Sequence, residues 1–476
     1  MSVLNNLKPV KVFQFFELLC SVPHGSDNIW QISNLCCDFA KQRNLRYVQD
    51  EVGNVIIYKD ASPGFEGRPT VIIQGHMDMV AVKTPDCTID LEKDGLCLKT
   101  DGDFIWADGT SLGADDGIAL AMAMAVLDSN DIAHPPIEAV FTINEETGMD
   151  GAHFLDVSKL SGRLMLNLDS EDEGIITAGC AGGVKVDASF NVKRSKDYVH
   201  AARIAIYGLT GGHSGAEIQK GRANSNVLMG RLLAQLGDIR LISMKGGEKD
   251  NAIANKTICQ IALSNFDAAK RIVEKFESEV KSEYAETDPD LTVKFVDEGF
   301  NNSGTIDLIS SRRIIKTMVE IPDGVQSMSE DIHGLVQTSL NFGILNLKDY
   351  RAEMSFCLRS SVGAEKQALE DKLKSIITSN KGKAESRGAY PAWEYKKESE
   401  LRNKAVAAFE AVYGKKPEIS VIHAGLECGL FSGKIAELDC ISFGPDIHDI
   451  HTTKEKLDVA STERTWSFLL EILKSL

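Results

Sequence analysis

The chain has 476 residues, which is too many for one compact core, so we expect two or more domains. Hydrophobic residues make up 43% and charged residues 25%, as in ordinary globular proteins, and the formal net charge is -17. Such an acidic chain is poorly suited to nucleic acid or to an anionic membrane surface, which argues against either as its main partner.

Ten cysteines are scattered without a Cys-x-x-Cys pair. In a chain of this size, that distribution favours reduced thiols over a disulfide framework or a thiolate zinc site. No apolar run reaches the length of a membrane span, and the N-terminal segment does not resemble a signal peptide. We therefore expect a cytoplasmic protein.

The first predicted elements are two amphipathic helices, at 8–20 and 27–43. Ser26 or Asp27 is expected to cap the second of them, because short polar side chains are favoured at a helix N-terminus. A Gly-Asn pair at 53–54 then separates two short strand-like runs and predicts a hairpin turn.

Short, continuous apolar runs follow, and they are typical of strands that are covered on both faces. An alanine-rich helix lies between the first two runs. This alternation predicts an α/β fold with a mostly parallel central sheet. The strands are expected at 71–73, 139–143, 164–168 and 440–443, and the helix at 118–127.

The pattern changes between 184 and 393, where longer amphipathic helices and alternating strands predict an inserted α+β domain. The flanking segments, 1–183 and 394–476, would then form one domain around a common sheet. The insert has the pattern of two similar units. The first has strand 203–207, helix 224–236, strand 256–264 and helix 268–284, and its echo has strand 314–321, helix 328–337, strand 351–358 and helix 365–380.

Several of the buried runs lead directly into residues that bind metals. In an open α/β sheet, ligands bind in the crevice beyond the carboxyl ends of the strands. We therefore expect these side chains to converge on a single crevice, although each of them alone also fits an ordinary surface turn. The candidate ligands are His76, Asp115, Glu146, Asp169 and one histidine near 450, either His448 or His451.

The motif Gly-Ala-Asp-Asp-Gly at 113–117 precedes the alanine-rich helix. Its first carboxylate has little steric cover, so Asp115 is a candidate to bridge two metal ions. Taken alone, the motif is more typical of a helix N-cap, and the other candidate ligands in the chain favour the metal-binding role.

Nitrogen and carboxylate ligands without cysteine suit zinc, with manganese or cobalt as substitutes. Five such ligands with one bridging carboxylate are enough for two ions, which lie roughly 3.5–4 Å apart in two-metal hydrolytic sites. Two neighbouring acids remain. Asp78 lies two residues after His76 and is placed to orient that imidazole, and Glu145 is a candidate general acid/base.

Together these motifs resemble the co-catalytic dinuclear zinc aminopeptidase/carboxypeptidase family, and more closely its aminoacyl-histidine (Xaa-His, carnosine-cleaving) dipeptidase branch. The resemblance runs nearly end to end. It is carried by His-x-Asp at 76–78, Gly-Ala-Asp-Asp-Gly at 113–117, Glu-Glu-x-Gly at 145–148, Asp169, Gly-Gly-His-Ser-Gly at 211–215, Arg-Ala-Asn-Ser-Asn at 222–226 and His-Ala-Gly-Leu-Glu-Cys-Gly at 423–429.

The resemblance implies that His76 and Asp169 bind one zinc ion, that Glu146 and the late histidine bind the other, and that the carboxylate of Asp115 bridges both. It also implies that the peptide bond between Asp115 and the next aspartate is cis. The family usually follows its last ligand with Ser-Pro-Asp-Glu. Here Thr-Thr-Lys-Glu follows His451, and the glutamate keeps the register, which favours that histidine over His448.

The inserted segment resembles the lid domain of the family, and it contains three candidates for contact with substrate. A fourth candidate, Glu427, lies in the C-terminal segment. His213 would stabilise the oxyanion, or else belong to a glycine-rich turn. Arg359 would clamp a substrate carboxylate, or else form a surface ion pair. Asn224 would bind substrate or cap a helix. Glu427 would hold a substrate ammonium group or belong to a turn.

The predicted function is hydrolysis of small dipeptides, with those ending in histidine favoured by the resemblance alone. A metal-bound hydroxide would attack the scissile carbonyl while Glu145 carries the proton. The alternatives are the same dinuclear chemistry on a tripeptide or an N-acyl amino acid, and an inactive zinc-binding scaffold. Because a lid of two units supplies His213 from the same chain, a homodimer is allowed but not required.

Overall fold

The computed structural model describes residues 3–196, 198–302 and 304–476, which form two compact units. The first unit contains Met1–Gly179, Tyr395–Val421 and Leu426–Leu476, and the second contains Cys180–Glu394 and Ile422–Gly425. Within the described ranges, no helix combines the length and the apolar character that a membrane span requires. The roles of the two units, catalytic and lid, stay predictions.

The two units contain twelve α-helices and twenty-five strands within the described residues. The helices are α1 (Val10–Leu19), α2 (Trp30–Gln42), α3 (Ala114–Asp128), α4 (Glu145–Gly148), α5 (Asp150–Phe154), α6 (Ser225–Leu236), α7 (Phe266–Glu283), α8 (Leu308–Glu320), α9 (Gly363–Ser379), α10 (Glu400–Tyr413), α11 (Glu427–Lys434) and α12 (Val459–Ser475). The strands are β1 (Arg46–Gln49), β2 (Val55–Lys59), β3 (Val71–His76), β4 (Leu98–Thr100), β5 (Phe104–Ala107), β6 (Ile137–Thr142), β7 (Leu164–Asn167), β8 (Ile175–Cys180), β9 (Gly182–Asn191), β10 (Arg194–Lys196), β11 (Val199–Tyr207), β12 (Gly212–His213), β13 (Arg240–Gly246), β14 (Ala252–Ile253), β15 (Thr257–Ala262), β16 (Thr292–Asn301), β17 (Gly304–Ile306), β18 (Gly324–Met328), β19 (Val336–Lys348), β20 (Arg351–Ser360), β21 (Lys383–Tyr390), β22 (Glu418–Ile422), β23 (Asp439–Ser442), β24 (Ile447–His448) and β25 (Lys456–Asp458).

The first unit is built on an eight-stranded sheet in the order β1-β2-β6-β3-β7-β23-β8-β22. Its four central strands, β6, β3, β7 and β23, pair in parallel. Antiparallel pairs flank them, between β1 and β2, β2 and β6, and β23 and β8. Every residue of β3 and β6 is buried, as expected of strands that are covered on both faces. The predicted α/β fold with a parallel centre is confirmed.

Helix α3 is buried from Ala114 to Leu127, because apolar side chains such as alanine, leucine and methionine occupy every face of it. It packs closely on β3, where a Cβ at Gly75 would lie 2.8 Å from the Cβ of Ala119. Regular helix geometry begins only after the two aspartates, because Asp115 and Asp116 have non-helical backbone angles. This break presents both carboxylates at the start of the helix.

The second unit has one continuous nine-stranded sheet in the order β16-β11-β15-β13-β19-β20-β9-β21, with β18 paired to β19. Burial alternates along β9, so one of its faces packs on the core. Helix α7 covers the sheet with buried residues at a spacing of three to four, namely Ala269, Val273, Phe276 and Val280.

Two elements of the predicted internal repeat are wrong. The segment 314–321 lies in α8 and not in a strand, because its buried residues Ile314, Ile315 and Met318 follow a helical spacing. The segment 328–337 is not a helix. Gly334 sits there at φ 81°, and the chain passes from β18 to β19.

The predicted cap of α2 is also wrong. The helix begins at Trp30 after Ile29, which provides no side-chain cap. Ser26 and Asp27 instead contact other loops of the same unit.

Candidate metal centre

The parallel strands bring the predicted ligands to one edge of the sheet. His76 is the last residue of β3, while Glu146 and Asp169 follow β6 and β7, the two strands that pair with it. The carboxyl ends of parallel neighbours lie side by side, so side chains that are far apart in the sequence become close in space.

Asp115 lies between two imidazoles. Its Oδ1 is 3.1 Å from Nε2 of His76, and its Oδ2 is 3.1 Å from Nε2 of His451. On the first side, Asp169 Oδ1 is 3.5 Å from the same His76 nitrogen, and on the second, Glu146 Oε1 is 3.0 Å from His451 Nε2. All five predicted ligands therefore meet, in the two groups that the resemblance implied.

The alternative ligand is not at this centre. His448 is exposed on β24, with its ring packed edge-on against Phe104 at 5.8 Å between centroids. His451 occupies the centre instead.

Asp116, which the sequence analysis did not name as a ligand, also lies close to the candidate ligands. Asp116 forms a group with His76 and Asp169 in which the ligating atoms lie within 4.8 Å of one another. Its carboxylate accepts a hydrogen bond from the backbone N–H of His76 at 3.3 Å, and its peptide bond to Asp115 is cis, as the resemblance implied. The doubling of the acid in Gly-Ala-Asp-Asp-Gly was the available signal.

The charges of this cluster fit a cation. Burial lowers the pKa of His76, but the carboxylates of Asp169 and Asp115 outweigh it and raise that pKa well above its usual value. Hydrogen bonds to Asp115 and Glu146 raise the pKa of His451 to about 10. Carboxylates gathered in a buried place require positive charge close by, and the imidazole and carboxylate donors match those of divalent zinc.

Asp78 connects His76 to the candidate acid/base. The imidazole Nδ1 of His76 is 2.9 Å from the backbone carbonyl of Asp78 and 3.6 Å from its Oδ1, so the carbonyl, and not the expected carboxylate, is the nearer partner. The same Oδ1 accepts a hydrogen bond from the backbone N–H of Glu145 at 3.0 Å. Burial raises the pKa of the Glu145 carboxyl well above its usual value.

Glu455 anchors the loop that carries the central aspartate. Its two carboxylate oxygens accept hydrogen bonds from four successive backbone N–H groups, at 2.8, 3.2, 2.8 and 3.5 Å. The side chain is only 3% exposed. Because Glu455 follows His451 by four residues, one carboxylate fixes two ligand-bearing loops relative to each other. The four N–H groups belong to Leu112, Gly113, Ala114 and Asp115.

Glu427 is fully buried. Its Oε2 accepts hydrogen bonds from Thr142 Oγ1 at 2.6 Å and Gln74 Nε2 at 2.5 Å, and Gln74 Oε1 accepts one from Asn167. These partners lie on β6, β3 and β7, so the network connects the three strands whose ends lead to the candidate ligands. Burial raises the pKa of Glu427 to about 7. Its predicted contact with a substrate ammonium group stays a prediction.

In the second unit, His213 is held in a defined tautomer. Its Nδ1 accepts hydrogen bonds from the backbone N–H groups of Gly215 and Ala216, at 3.3 and 3.1 Å. Burial, followed by the charge of Arg359, lowers its pKa. A neutral ring with an accepting Nδ1 carries its proton on Nε2, which makes that nitrogen a donor.

Arg359 is a buried cation without an acidic partner in the described part of the chain. It is 8% exposed, and its Nη1 donates to the hydroxyl of Tyr390 at 3.1 Å. The buried Nε has no hydrogen-bond acceptor among the described residues. The alternative prediction for Arg359, a surface ion pair, is therefore wrong within the described residues.

His423 lies beside this arginine and was quoted in the sequence only as part of a motif. Burial, followed by the charge of Arg359, lowers its pKa to about 4, and its Nε2 is 2.7 Å from Ser339 Oγ. Gly215 packs against both residues, since a Cβ there would lie 2.8 Å from the His423 carbonyl and 3.2 Å from the Arg359 Nε.

Asn224 has the contacts of its alternative role. Its side chain caps α6 by accepting a hydrogen bond from the backbone N–H of Asn226 at 3.0 Å. Its amide nitrogen donates to the Phe342 carbonyl at 3.1 Å and to Asp323 at 3.3 Å. A role in substrate binding stays a prediction.

The low pKa of His423 predicts a pH dependence of stability. Between about pH 6.5 and pH 4 the unfolded chain takes up a proton on this residue while the folded chain does not, so the folded state loses stability as the pH falls. His423→Gln is expected to make the melting temperature fall less between pH 7 and pH 5 than in the wild type. The exposed His333→Gln is the matched control, and equal pH dependence in all three proteins would contradict the assignment.

Known proteins share this architecture. Residues 72–475 match the model of peptidase family M20/M25/M40. The chain is 36% identical to the cytosol non-specific dipeptidase of Escherichia coli, over 100% of this chain and 99% of that protein. It superposes on the crystal structure of aminoacylhistidine dipeptidase from Vibrio alginolyticus with a TM-score of 0.94 and 34% identity, over 99% and 98% of the two chains. Aminopeptidase PepT of Bacillus cereus shares the fold alone, with a TM-score of 0.58 and 16% identity over 98% and 99% of the chains.

Proposed function

The chain belongs to peptidase family M20/M25/M40, and from this membership we propose that it is a metal-dependent dipeptidase with two metal ions per chain. The observation that carries the proposal is the position of Asp115, with each carboxylate oxygen 3.1 Å from a different imidazole. A carboxylate in that position is placed to bridge two ions. The full-length relatives with dipeptidase names support the choice of substrate.

His76, Asp169 and Asp115 would hold one ion, and Glu146, His451 and Asp115 the other. Zinc is proposed as the metal, with manganese or cobalt as substitutes, because the donors are imidazole nitrogens and carboxylate oxygens without thiolate. When bound, such a pair of ions lowers the pKa of water and polarises a carbonyl oxygen.

Glu145 is the proposed general acid/base. Its carboxylate would take a proton from the attacking water and deliver it to the nitrogen of the leaving amino acid. The hydrogen bond from its backbone N–H to Asp78 holds this segment beside His76.

His213 is proposed to stabilise the oxyanion. Because its Nδ1 is occupied by two backbone N–H groups, the proton resides on Nε2, and a neutral donor is available without a change of tautomer.

Arg359 and His423 are proposed to receive the free carboxylate of the dipeptide. A buried guanidinium without an acidic partner gains most from an anion, and its remaining N–H groups suit a carboxylate.

Arg359→Met is therefore expected to raise KM for dipeptides so that kcat/KM falls about 100-fold, since a charge-assisted pair contributes about 3 kcal/mol. The wild type should strongly prefer a dipeptide to its C-terminal amide, and the variant should lose that preference. Arg351→Met, an exposed arginine on the same strand, is the control. A variant that still discriminates between acid and amide would place the carboxylate elsewhere.

The substrate proposal is tested with the metal-reconstituted protein on β-Ala-His, Gly-His, Ala-Ala, a tripeptide and an N-acetyl amino acid. Fast hydrolysis of dipeptides supports it, and a preference for the histidine dipeptides supports the finer assignment to Xaa-His substrates. Activity on the tripeptide or the N-acetyl amino acid alone would refute the dipeptidase proposal and keep the metal chemistry.

A cytoplasmic location is also proposed, in line with the name of the relative from Escherichia coli. Small peptides remain the proposed partners.

A further inference from the structure

The loop between α1 and α2 contacts the segments on both sides of the candidate acid/base. We propose that Ser26 and Asp27 in this loop are positioning residues for catalysis. Ser26 fixes the carboxylate of Asp78, and Asp27 fixes the loop that carries Glu145 and Glu146. The inference rests on the proposed function.

Ser26 binds the one oxygen of Asp78 that Glu145 leaves free. Its Oγ donates to Asp78 Oδ2 at 2.8 Å, while the backbone N–H of Glu145 donates to Oδ1 at 3.0 Å. Asp78 is 1% exposed, so water does not readily replace a lost partner. Without the Ser26 hydroxyl the carboxylate has one anchor instead of two and is free to turn away from His76 and Glu145.

The backbone of the same loop fixes the position of Ser26. Its N–H donates to the carbonyl of Met79 at 3.2 Å, and the N–H of Met79 donates to the carbonyl of His24 at 3.0 Å. Gly25 lies in a parallel bridge with Met79, and a Cβ at Gly25 would lie 2.8 Å from that of Ala81. The hydroxyl is therefore presented from a paired segment and not from a free loop.

Asp27 and Asn144 form a reciprocal pair. The backbone N–H of Asp27 donates to Asn144 Oδ1 at 2.8 Å, and Asn144 Nδ2 donates to Asp27 Oδ1 at 2.8 Å. Both residues have positive φ, 68° and 53°, a conformation that Asp and Asn tolerate better than most residues. Since Asn144 directly precedes Glu145, the pair fixes the backbone position from which the side chain of Glu145 extends.

The hairpin turn between β1 and β2 also contacts the loop that carries Glu145 and Glu146. Asn54 accepts a hydrogen bond from the N–H of Ile143 at 3.1 Å and donates one to the carbonyl of Gly151 at 3.0 Å. Ser26, Asp27 and Asn54 all precede residue 72, where the region matched by the family begins. Residues outside that region thus position the acids inside it.

The Ser26 part is tested with Ser26→Ala, Ser26→Thr and, as a control on the same loop, Ser21→Ala, which removes a hydroxyl that donates to the Leu18 carbonyl. Zinc affinity is measured by competition with a chromophoric chelator, and kcat and KM with a dipeptide. Loss of a residue that orients a metal ligand lowers affinity or activity about 10–100-fold. Ser26 contacts such a residue, Asp78, and not the ligand itself, so its effect should be smaller. We expect Ser26→Ala to lower zinc affinity and kcat by about 3–10-fold with KM unchanged. Ser26→Thr should restore both.

The path through Asp78 is tested by a double-mutant cycle. In an Asp78→Ala background, Ser26→Ala should change neither zinc affinity nor kcat any further. An effect of the same size in both backgrounds would overturn the assignment of Ser26, as would a Ser26→Ala protein with the affinity and the kcat of the wild type. If Asp78→Ala does not fold, the test is whether Ser26→Thr keeps the wild-type zinc affinity and kcat that Ser26→Ala loses; a threonine variant as impaired as the alanine variant would refute the role of the hydroxyl.

The Asp27 part is tested with Asp27→Gly, which keeps the positive φ but removes the carboxylate. Asn44→Gly, a change at another residue of positive φ in the same unit, is the control. We expect Asp27→Gly to lower kcat about 3–10-fold, with melting temperature changed no more than in the control. Unchanged kcat would refute the role of Asp27. If the wild type itself hydrolyses no dipeptide, the proposed function fails, and zinc affinity still decides the positioning of Asp78 by Ser26.

Discussion

Glu145→Gln is expected to lower kcat for dipeptide hydrolysis about 1,000-fold, the usual size of a general acid/base contribution. Glutamine has nearly the same shape but cannot accept the proton of the attacking water. The backbone N–H that bonds to Asp78 is retained, so the loop should keep its position. Steady-state kinetics with the zinc-loaded variant gives the measurement, and zinc content is determined on the same sample.

The matched control is Glu66→Gln, at an exposed glutamate that accepts a hydrogen bond from the Gly64 N–H. It should have the kcat of the wild type. A Glu145→Gln protein that retains both zinc and more than about a tenth of the wild-type kcat would show that proton transfer uses another group.

Glu455→Gln is expected to weaken metal binding and stability although it replaces none of the candidate ligands. The amide offers one oxygen where the carboxylate offers two, so about two of the four N–H groups lose their acceptor in a buried place. At about 1–3 kcal/mol for each lost partner, the free energy of unfolding of the metal-free protein should fall by about 2–6 kcal/mol. Zinc affinity should fall at least about tenfold, because Asp115 is no longer held in place.

Both quantities can be measured on one preparation, by denaturant unfolding of the metal-free protein and by chelator competition. Glu463→Gln, an exposed position on α12, is the control. Wild-type stability together with wild-type zinc affinity in Glu455→Gln would refute the role of this carboxylate.

The ligand positions were predictable because the signal is local. His76 ends a buried strand, and Glu146 and Asp169 each follow one within four residues, so each candidate ligand combines two patterns that span only a few residues. The parallel arrangement then brings these strand ends together, so the cluster follows from the order of the elements. The position of the late histidine required the glutamate that follows it in register.

The anchoring residues were not predictable in the same way. Glu455 bonds to a loop about 340 positions earlier in the chain, and nothing in its own neighbourhood indicates which loop that is. Ser26 resembled a helix cap, because the sequence offers a short polar side chain before an amphipathic stretch. Its actual partner, Asp78, depends on the pairing of two loops in space.

The second unit shows where periodicity misleads. A strand at 314–321 fitted the idea of a repeat, yet the spacing of its buried residues is helical, and Asp307 caps the helix by accepting from the Ser310 N–H. Asn224 was equally ambiguous in the sequence, since a helix cap and a substrate ligand need the same amide. The contacts of its side chain show the helix cap, and the role in substrate binding stays a prediction.

The central claim is that two metal ions at the Asp115 centre support dipeptide hydrolysis. The most direct test is to remove all metal, add zinc stepwise, and follow Ala-Ala or Gly-His hydrolysis together with bound zinc. We predict that activity rises to a plateau at two zinc ions per chain and that Asp115→Asn abolishes both the second ion and the activity. Full activity in the metal-free protein, or no hydrolysis of any dipeptide with two ions bound, would contradict the claim.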